Sequence, residues 1–204
     1  MGGCSSKDKV HEPNKAYITS FKTADEMTDF NTLFIPSSNS LLKQALTEDV
    51  WNEYKDQKCS CGVSFKTCIF SGVKNQDSGV GVYAGSHDSY KKFNKLFDPV
   101  IEKYHGHKQS DKHVIGMYSE GLQNAELSAD DAKMIVSTRI RVGRNLAGFP
   151  LGPGVSKEQR LEIMNKVVEA AKSFEGDLKG TFYPLEGMND KDRQKLVDDH
   201  FLFK

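Results

Sequence analysis

Two arginines, Arg139 and Arg141, lie two positions apart in residues 134–144, which read MIVSTRIRVGR. A guanidinium group is always charged, and its planar fork of donors suits the oxygens of a phosphate group. Side chains two positions apart on a strand share a face, so Ser137 would lie beside both arginines. The spacing predicts a phosphate-binding strand over a hydrophobic floor. An exposed strand with two solvated arginines is the alternative.

Residues 77–83, which read DSGVGVY, form a second candidate site. Gly79 and Gly81 stand on alternate positions without side chains, so the backbone there could approach a ligand and present its N–H groups. The spacing is not GxGxxG and no predicted strand precedes it, which excludes a dinucleotide fingerprint. The segment favours a small carboxylate or phosphate held by main-chain groups, with an ordinary loop between helices as the alternative.

Short helices are predicted around this glycine loop, between Ser40 and His105. The helical pattern begins at Ser40. Further starts are expected at Thr47, Ser64, Ser86 or Asp88, and Asp98-Pro99, where capping side chains or a first-turn proline precede apolar positions. The helix that begins at Ser64 is expected to stop at Ser71-Gly72. The positions predicted to be buried in the last two helices are Tyr90, Phe93, Leu96, Phe97, Val100, Ile101 and Tyr104.

The second half of the chain predicts a different organisation. Residues 106–130 are polar and irregular and are expected to be a linker, followed by the arginine-bearing strand. Ser156 with Gln159 forms a capping box before a long amphipathic helix. A short strand is predicted over residues 181–185, and Asn189 is expected to cap a last helix.

Composition limits the kinds of partner. The 204 residues carry 28 Lys and Arg against 28 Asp and Glu, which gives no electrostatic argument for nucleic acid. No apolar run approaches the ~20 residues of a membrane span. The four cysteines do not match a structural zinc spacing, so reduced thiols inside a cell and no metal site are expected.

The first residues, MGGCSSK, resemble an acylation signal. Gly2 would become the N-terminus after removal of Met1, Ser6 fits the myristoylation pattern, and Cys4 could carry a palmitoyl group as the second signal. We expect residues 1–38 to be a lipidated, flexible tether. The expected location is the cytoplasm, with attachment to a membrane or to a cilium or flagellum. A disordered N-terminus with an incidental glycine is the alternative.

Six segments of the chain together resemble the phosphagen kinases, the ATP:guanidino phosphotransferases. They read SGVKNQDSGVGVYA, LFDPVIEKYH, STRIRVGRNLAGFP, KEQRLEI, DLKGTFYPL and DDHFLFK, in residues 71–84, 96–105, 137–150, 157–163, 177–185 and 198–204. The resemblance runs from about Leu41 to the end and is strongest to the arginine kinases, which share the short loop before Tyr83.

The resemblance implies roles for individual residues. The guanidino amino acid would be bound by Ser78, Gly79, Val80, Gly81, Val82 and Tyr83. ATP or ADP, with Mg²⁺, would be bound by Ser137, Thr138, Arg139, Ile140 and Arg141, with His200 against the adenine ring. Asp77 would help to lock two domains together on closure.

The implied fold is α+β, with a small all-α domain followed by the start of an antiparallel-sheet catalytic domain, as in phosphagen kinases and glutamine synthetase. The expected boundaries are 39–118 for the helical domain, 119–133 for the linker and 134–204 for the catalytic part. The family's catalytic glutamates and reactive cysteine are expected beyond the DDHFLF run, so no catalytic residue is assigned here. The 204 residues alone are expected to be inactive.

The sequence leaves three functions open. The first is an arginine kinase that reversibly transfers the γ-phosphoryl group of ATP to L-arginine. The second is a kinase for another guanidino compound, such as taurocyamine, lombricine or creatine. The third is a non-catalytic, lipid-anchored binding protein that uses the helical domain.

Overall fold

The computed structural model describes residues 19–116, 127–136, 138 and 141–202. Two compact units divide the chain. The first takes in Met1–Lys112 together with Ala147–Ser156, and the second takes in His113–Leu146 together with Lys157–Lys204.

The first unit is helical in its described residues. Its α-helices are α1 (Leu41–Ala45), α2 (Glu48–Tyr54), α3 (Phe65–Lys74), α4 (Ser89–Lys92) and α5 (Asn94–His105). Three 3₁₀ turns accompany them, at Ala24–Glu26, Phe30–Thr32 and Gly152–Gly154.

Hydroxyl side chains start the first three helices, as the sequence predicts. The Oγ atoms of Ser40 and Ser64 and the Oγ1 of Thr47 each accept a hydrogen bond from the backbone N–H three residues on, at 3.1–3.3 Å. Each such bond satisfies one first-turn N–H that the helix itself cannot pair.

Four aromatic rings form the centre of this unit. Phe65 lies with its ring centroid 6.4 Å from Trp51, 5.4 Å from Tyr54 and 5.1 Å from Phe93. Rings tilted at these distances gain electrostatic stabilisation in addition to their burial. The phenol of Tyr54 donates to Asn94 Oδ1 at 3.2 Å, so the polar end of a buried ring has a partner.

Two predicted helix boundaries are wrong. α3 does not stop at Ser71-Gly72 but continues through Gly72 to Lys74. The last helix does not restart at Asp98, because α5 already begins at Asn94 and contains Pro99. Pro99 is the sixth residue of α5, so it has no N–H to donate to the carbonyl of Lys95, and the helix continues across it without that one bond.

Two aromatic residues predicted to be buried lie at the surface instead. Tyr90 is 46% exposed and Tyr104 is 62% exposed, whereas Phe93, Leu96, Phe97 and Val100 are buried as predicted. The stretch does not form one continuous stripe, since the helix is broken between α4 and α5.

Part of the predicted tether belongs to the folded unit. Met27 and Leu33 are fully buried in the core, and Phe21, Phe30 and Phe34 pack against it. The short 3₁₀ turns supply the local hydrogen bonds that let a mostly polar segment bury these side chains. Residues 1–18, including Gly2 and Cys4, lie outside the described residues.

The second unit contains α6 (Ala129–Met134), α7 (Lys157–Lys172), α8 (Asp190–Asp198) and a 3₁₀ turn at Gly176–Leu178. The long amphipathic helix is confirmed as α7, and Asn189 caps α8 by accepting the N–H of Asp192 at 2.8 Å. None of the described residues of this unit is buried. Nor is any described helix of the chain long and apolar enough to cross a membrane.

The predicted strands do not occur in the described residues. Met134 is the last residue of helix α6. Ser128 caps this helix, and Asp130 and Asp131 stabilise its first turn. The prediction that Met134 is the first residue of a strand is therefore wrong. The described residues of 135–144 and 181–185 are also not strands. A strand needs a hydrogen-bonded neighbour, and alternation of side chains cannot supply one. The sheet as a whole stays a prediction.

Candidate functional site

The glycine loop, residues 77–83, is fixed to helix α1 through its carbonyl groups. The N–H groups of Leu41 and Leu42 donate to the carbonyls of Gly79 and Val80, each at 2.9 Å. These donors belong to the first turn of α1, which has no intrahelical acceptor for them. The loop therefore caps the helix, and the helix holds the loop.

Two glycines let the loop lie directly on helix α3. A Cβ on Gly72 would overlap the backbone of Gly81, and a Cβ on Gly81 would lie 3.2 Å from Gly72 Cα. Gly81 also has a φ of +85°, a conformation that glycine adopts without steric cost. Gly72 therefore lies inside helix α3, where the absence of a side chain permits this contact. The sequence had indicated a helix end at this position.

The backbone N–H groups of the loop indicate what kind of ligand it could bind. In residues 19–116 and the other described segments, no group accepts a hydrogen bond from the N–H of Gly79, Val80, Gly81 or Val82. The carbonyls of Gly79 and Val80 are engaged at the same time. Successive N–H groups without acceptors can bind the oxygens of a small anion.

Tyr83 is directed away from the core at the end of the loop. It is 48% exposed, while its neighbours Val82 and Ala84 are buried at 8% and 7%. Its backbone N–H donates to the carbonyl of Cys68 in α3 at 2.8 Å. The backbone is therefore fixed, and the exposed phenol follows in sequence the four N–H groups that have no acceptor in the described part of the chain.

Cys68 lies beneath this part of the loop. It is fully buried, and burial raises the pKa of its thiol to about 11. A thiol in that state is protonated at neutral pH and is not a nucleophile. The cysteine positions the loop through its carbonyl and does not carry chemistry.

Asp88 fastens the next turn of the chain. Its carboxylate accepts hydrogen bonds from the N–H and the Oγ of Ser60, both at 2.8 Å, and from the Oγ of Ser86. Burial acts to raise the pKa of Asp88, but the bonds from Ser86 and Ser60 outweigh it and lower the pKa to about 2. Asp88 therefore joins the 59–62 turn to α4 instead of capping α4 itself.

The remaining loop residues are less constrained. Ser78 donates its N–H to the carbonyl of Asn75 at 3.0 Å, which closes the turn after α3. Asp77 is exposed, and among the described residues nothing pairs with its carboxylate. Its role in domain closure stays a prediction.

The predicted nucleotide residues lie only partly within the described chain. Ser137, Arg139 and Ile140 are outside it, and Thr138 and Arg141 are exposed. No hydrogen bond or ion pair joins Arg141 to His200 in the part of the second unit that the structure describes.

His200 has an unusual backbone. Its φ is +62°, and it follows the end of α8, where its N–H donates to the carbonyl of Val197 at 3.1 Å. The N–H of Phe201 then returns to the carbonyl of Leu196 at 2.8 Å. This is a left-handed helix cap, a place that glycine or asparagine usually takes. The imidazole is exposed.

Comparisons with known proteins agree with this loop and these helices. The family model described as ATP:guanido phosphotransferase, N-terminal domain, matches residues 36–102, and the one described as its C-terminal catalytic domain matches residues 162–204. Together the two matches take in more than half of the chain. The chain belongs to the ATP:guanido phosphotransferase family, the phosphagen kinases.

Its relatives include arginine kinases of crustaceans. Arginine kinase Lit v 2 of Penaeus vannamei is 47% identical over 167 residues, and the match covers 81% of this chain and 46% of the relative. Arginine kinase of Callinectes sapidus is 46% identical over 166 residues, with the same coverage. The chain thus spans about half the length of the curated relatives it matches.

Solved structures of two other phosphagen kinases are also similar. The duplicated taurocyamine kinase from Schistosoma mansoni, with bound transition state analog components, gives a TM-score of 0.67 at 34% identity, covering 85% of this chain and 25% of that one. A lombricine kinase gives a TM-score of 0.65 at 24% identity, covering 90% and 49%, and shows the shared fold.

Proposed function

We propose that this protein is a guanidino kinase that acts on L-arginine, and that residues 78–83 bind the amino-acid end of that substrate. The observation that carries the proposal is that the N–H groups from Gly79 to Val82 have no acceptor among the described residues and are followed in the chain by the exposed Tyr83. The N–H groups would bind the carboxylate, and the phenol would contact the amino-acid backbone. Identity of 47% to an arginine kinase supports arginine as the substrate.

The nucleotide part of the proposal rests on Arg139 and Arg141, with Ser137, Thr138, Ile140 and His200. Phosphoryl transfer depends on alignment and on neutralisation of charge more than on covalent help from the protein. The two guanidinium groups would bind phosphate oxygens, and His200 would lie against the adenine. Mg²⁺ would enter with ATP as part of that substrate and neutralise phosphate charge. The antiparallel sheet belongs to this proposal, with the likeness to taurocyamine kinase as its support.

Titration of the chain with L-arginine, followed by the backbone amide signals, tests the substrate site. We expect the signals of residues 79–83 to shift on addition of L-arginine. Agmatine, which has the guanidino group but no carboxylate, should leave them unchanged, because the N–H groups would then have no anion to bind. Equal shifts with both compounds would remove the carboxylate from the proposal.

A pair of tyrosine variants separates the phenol from general effects. Tyr83→Phe should weaken arginine binding by about three- to tenfold, as expected for the loss of one hydrogen bond. Tyr90→Phe is the matched control, because Tyr90 is equally exposed at 46% and lies outside the loop. Unchanged affinity in Tyr83→Phe would exclude a role for its hydroxyl.

The alternative guanidino substrates differ from arginine at this end of the molecule. Because the chain is similar to a taurocyamine kinase, taurocyamine is the first alternative substrate to test. Competition among L-arginine, taurocyamine, lombricine and creatine for the same amide shifts ranks them. Tightest binding of a compound other than arginine would change the proposed substrate and leave the site in place.

A non-catalytic binding protein is the second candidate. It is favoured by the contrast between the first unit, which has a buried core around the glycine loop, and the described residues of the second unit, none of which is buried. Binding of arginine without binding of ATP would support it. Binding of ATP that Arg139→Ala weakens at least tenfold and Arg144→Ala leaves nearly unchanged would favour the kinase.

A further inference from the structure

Residues 150–154, here called the strap, belong to the first unit although they follow the arginine-bearing segment in the sequence. Pro150 is buried, and Leu151 packs against the hydrophobic core. The N–H of Leu151 donates to the carbonyl of Gly85 at 2.9 Å, and Gly154 donates back to the carbonyl of Leu151 at 2.8 Å. Neither matched region of the family models includes these residues.

Close packing fixes the far end of the strap. A Cβ on Gly154 would overlap Val63 Cγ2 and would lie 3.2 Å from the carbonyl oxygen of Gly85. Gly85 is itself confined, because its Cβ would lie 2.5 Å from Val63 Cγ1. Gly152, in the same 3₁₀ turn, has nothing within 4 Å of a Cβ. The contact therefore requires glycine at position 154 and not at position 152.

The strap acts on the backbone that carries Tyr83. On one side, the N–H of Tyr83 is held by the carbonyl of Cys68, and on the other, the carbonyl of Gly85 is held by Leu151. Ala84 between them is buried. The exposed phenol thus projects from a backbone segment that is fixed by α3 and by the strap.

We propose that the strap positions Tyr83, with Leu151 and Gly154 as positioning residues that set the affinity of the site for its guanidino substrate. The inference rests on the proposed function for the affinity and on the geometry alone for the positioning. It gives Leu151 and Gly154 a role in substrate recognition, although no hydrogen bond joins them to residues 78–83 in the described part of the chain.

Backbone amide exchange and arginine binding together test the positioning role. In Gly154→Ala the strap must move away from Val63, so we expect the Tyr83 amide to exchange about fivefold faster, as for the loss of one net hydrogen bond. The Leu42 amide, which holds the other end of the loop, should be unchanged. The dissociation constant for L-arginine should rise by a similar factor, and Gly152→Ala should change none of the three.

A rescue variant separates position from stability. Val63→Ala removes the methyl group that a Cβ at position 154 would meet, so the double variant Val63→Ala with Gly154→Ala should bring Tyr83 exchange back toward that of Val63→Ala alone. Failure of this rescue would overturn the packing argument.

A second pair of variants isolates the hydrogen bond to Gly85. Leu151 has a φ of −82°, which is close to the value that proline adopts. Leu151→Pro removes the N–H and the side chain, whereas Leu151→Ala removes only the side chain. The proline variant should accelerate Tyr83 exchange beyond the alanine variant.

Two results overturn the proposal. One is equal acceleration at Tyr83 and Leu42 in the strap variants, which would show general loosening. The other is no acceleration at Tyr83 in either Gly154→Ala or Leu151→Pro. If the unsubstituted chain does not bind L-arginine, the proposed function fails, and the exchange measurements still decide whether the strap positions Tyr83.

Discussion

Gly72 and Gly81 meet backbone to backbone, with the Cα of Gly72 3.2 Å from the place where a Cβ on Gly81 would stand. One glycine lies inside helix α3, and the other lies in the loop whose N–H groups have no acceptor among the residues that the structure describes. A contact between two backbones, without any side chain, therefore sets the position of the candidate substrate site.

Gly72→Ala should destabilise the folded protein, although a glycine-to-alanine change inside a helix usually stabilises it. In an exposed helix interior, alanine is more favourable than glycine by about 1 kcal/mol. Here the methyl group would overlap the Gly81 backbone, so we expect a loss of about 1–3 kcal/mol in the free energy of unfolding, as for overpacked cores. Urea denaturation measures it. Gly79→Ala, whose Cβ would meet nothing within 4 Å, is the control for stability only. A stabilised Gly72→Ala would contradict the contact.

Asp88 should make stability depend on pH at the acid end. Its folded pKa of about 2 lies below the ordinary value of 3.8, so its contribution is present above pH 4 and is lost as the pH falls toward 2. Asp88→Asn should be less stable near neutrality, by on the order of 1 kcal/mol because the site is partly open to solvent, and the gap should narrow below pH 4. Denaturation curves from pH 2 to pH 7 compare the two proteins. A gap that is constant with pH would show that the charge of Asp88 plays no part.

The described cysteines should differ in their reactivity. Cys68 is fully buried with a thiol pKa of about 11, whereas Cys61 is only half-buried. Because the thiolate is the reactive form, iodoacetamide at pH 8 should modify Cys61 well before Cys68 in the folded protein. Mass spectrometry of a Cys4→Ser background gives the order. Equal labelling rates of Cys61 and Cys68 in the folded protein, as in the urea-unfolded protein, would be inconsistent with a buried Cys68 thiol.

The acylation signal stays a prediction, since residues 1–18 lie outside the described chain. If Gly2 is myristoylated and Cys4 palmitoylated, the protein should partition to membranes in cells, because two acyl chains anchor stably and one does not. Gly2→Ala should move it to the soluble fraction, and Cys4→Ser should leave weak, reversible attachment. Fractionation with the Gly3→Ala variant as control measures the distribution. Unchanged partitioning of Gly2→Ala would reject the signal.

ATP binding tests the other half of the proposed site. Arg139→Ala should weaken it at least tenfold if the guanidinium binds phosphate oxygens bidentately. Arg144→Ala removes an arginine of the same segment whose Nη1 donates to the neighbouring carbonyl of Gly143, and it should have little effect. Similar losses in both variants would indicate a general effect of positive charge.

Local signals in the sequence were sufficient for four helix starts, three in the first unit and one in the second. Ser40, Thr47, Ser64 and Asn189 start helices as predicted, because a capping side chain and the apolar spacing after it act within a few residues. The motifs around residues 71–84 and 198–204 also predicted the family. The same local signals failed at Met134, where a helix capped by Ser128 extends over the alternating pattern.

What the sequence alone determined is therefore the family, the helix starts and the residues of the glycine loop. Tertiary packing determines which glycines are needed for contact, which aromatic residues are buried, and that residues 150–154 return to hold Gly85. The physical reason is distance along the chain. Capping and periodicity act within one or two turns, whereas Gly72, Gly85 and Gly154 are constrained by atoms from other segments, and no local pattern records them.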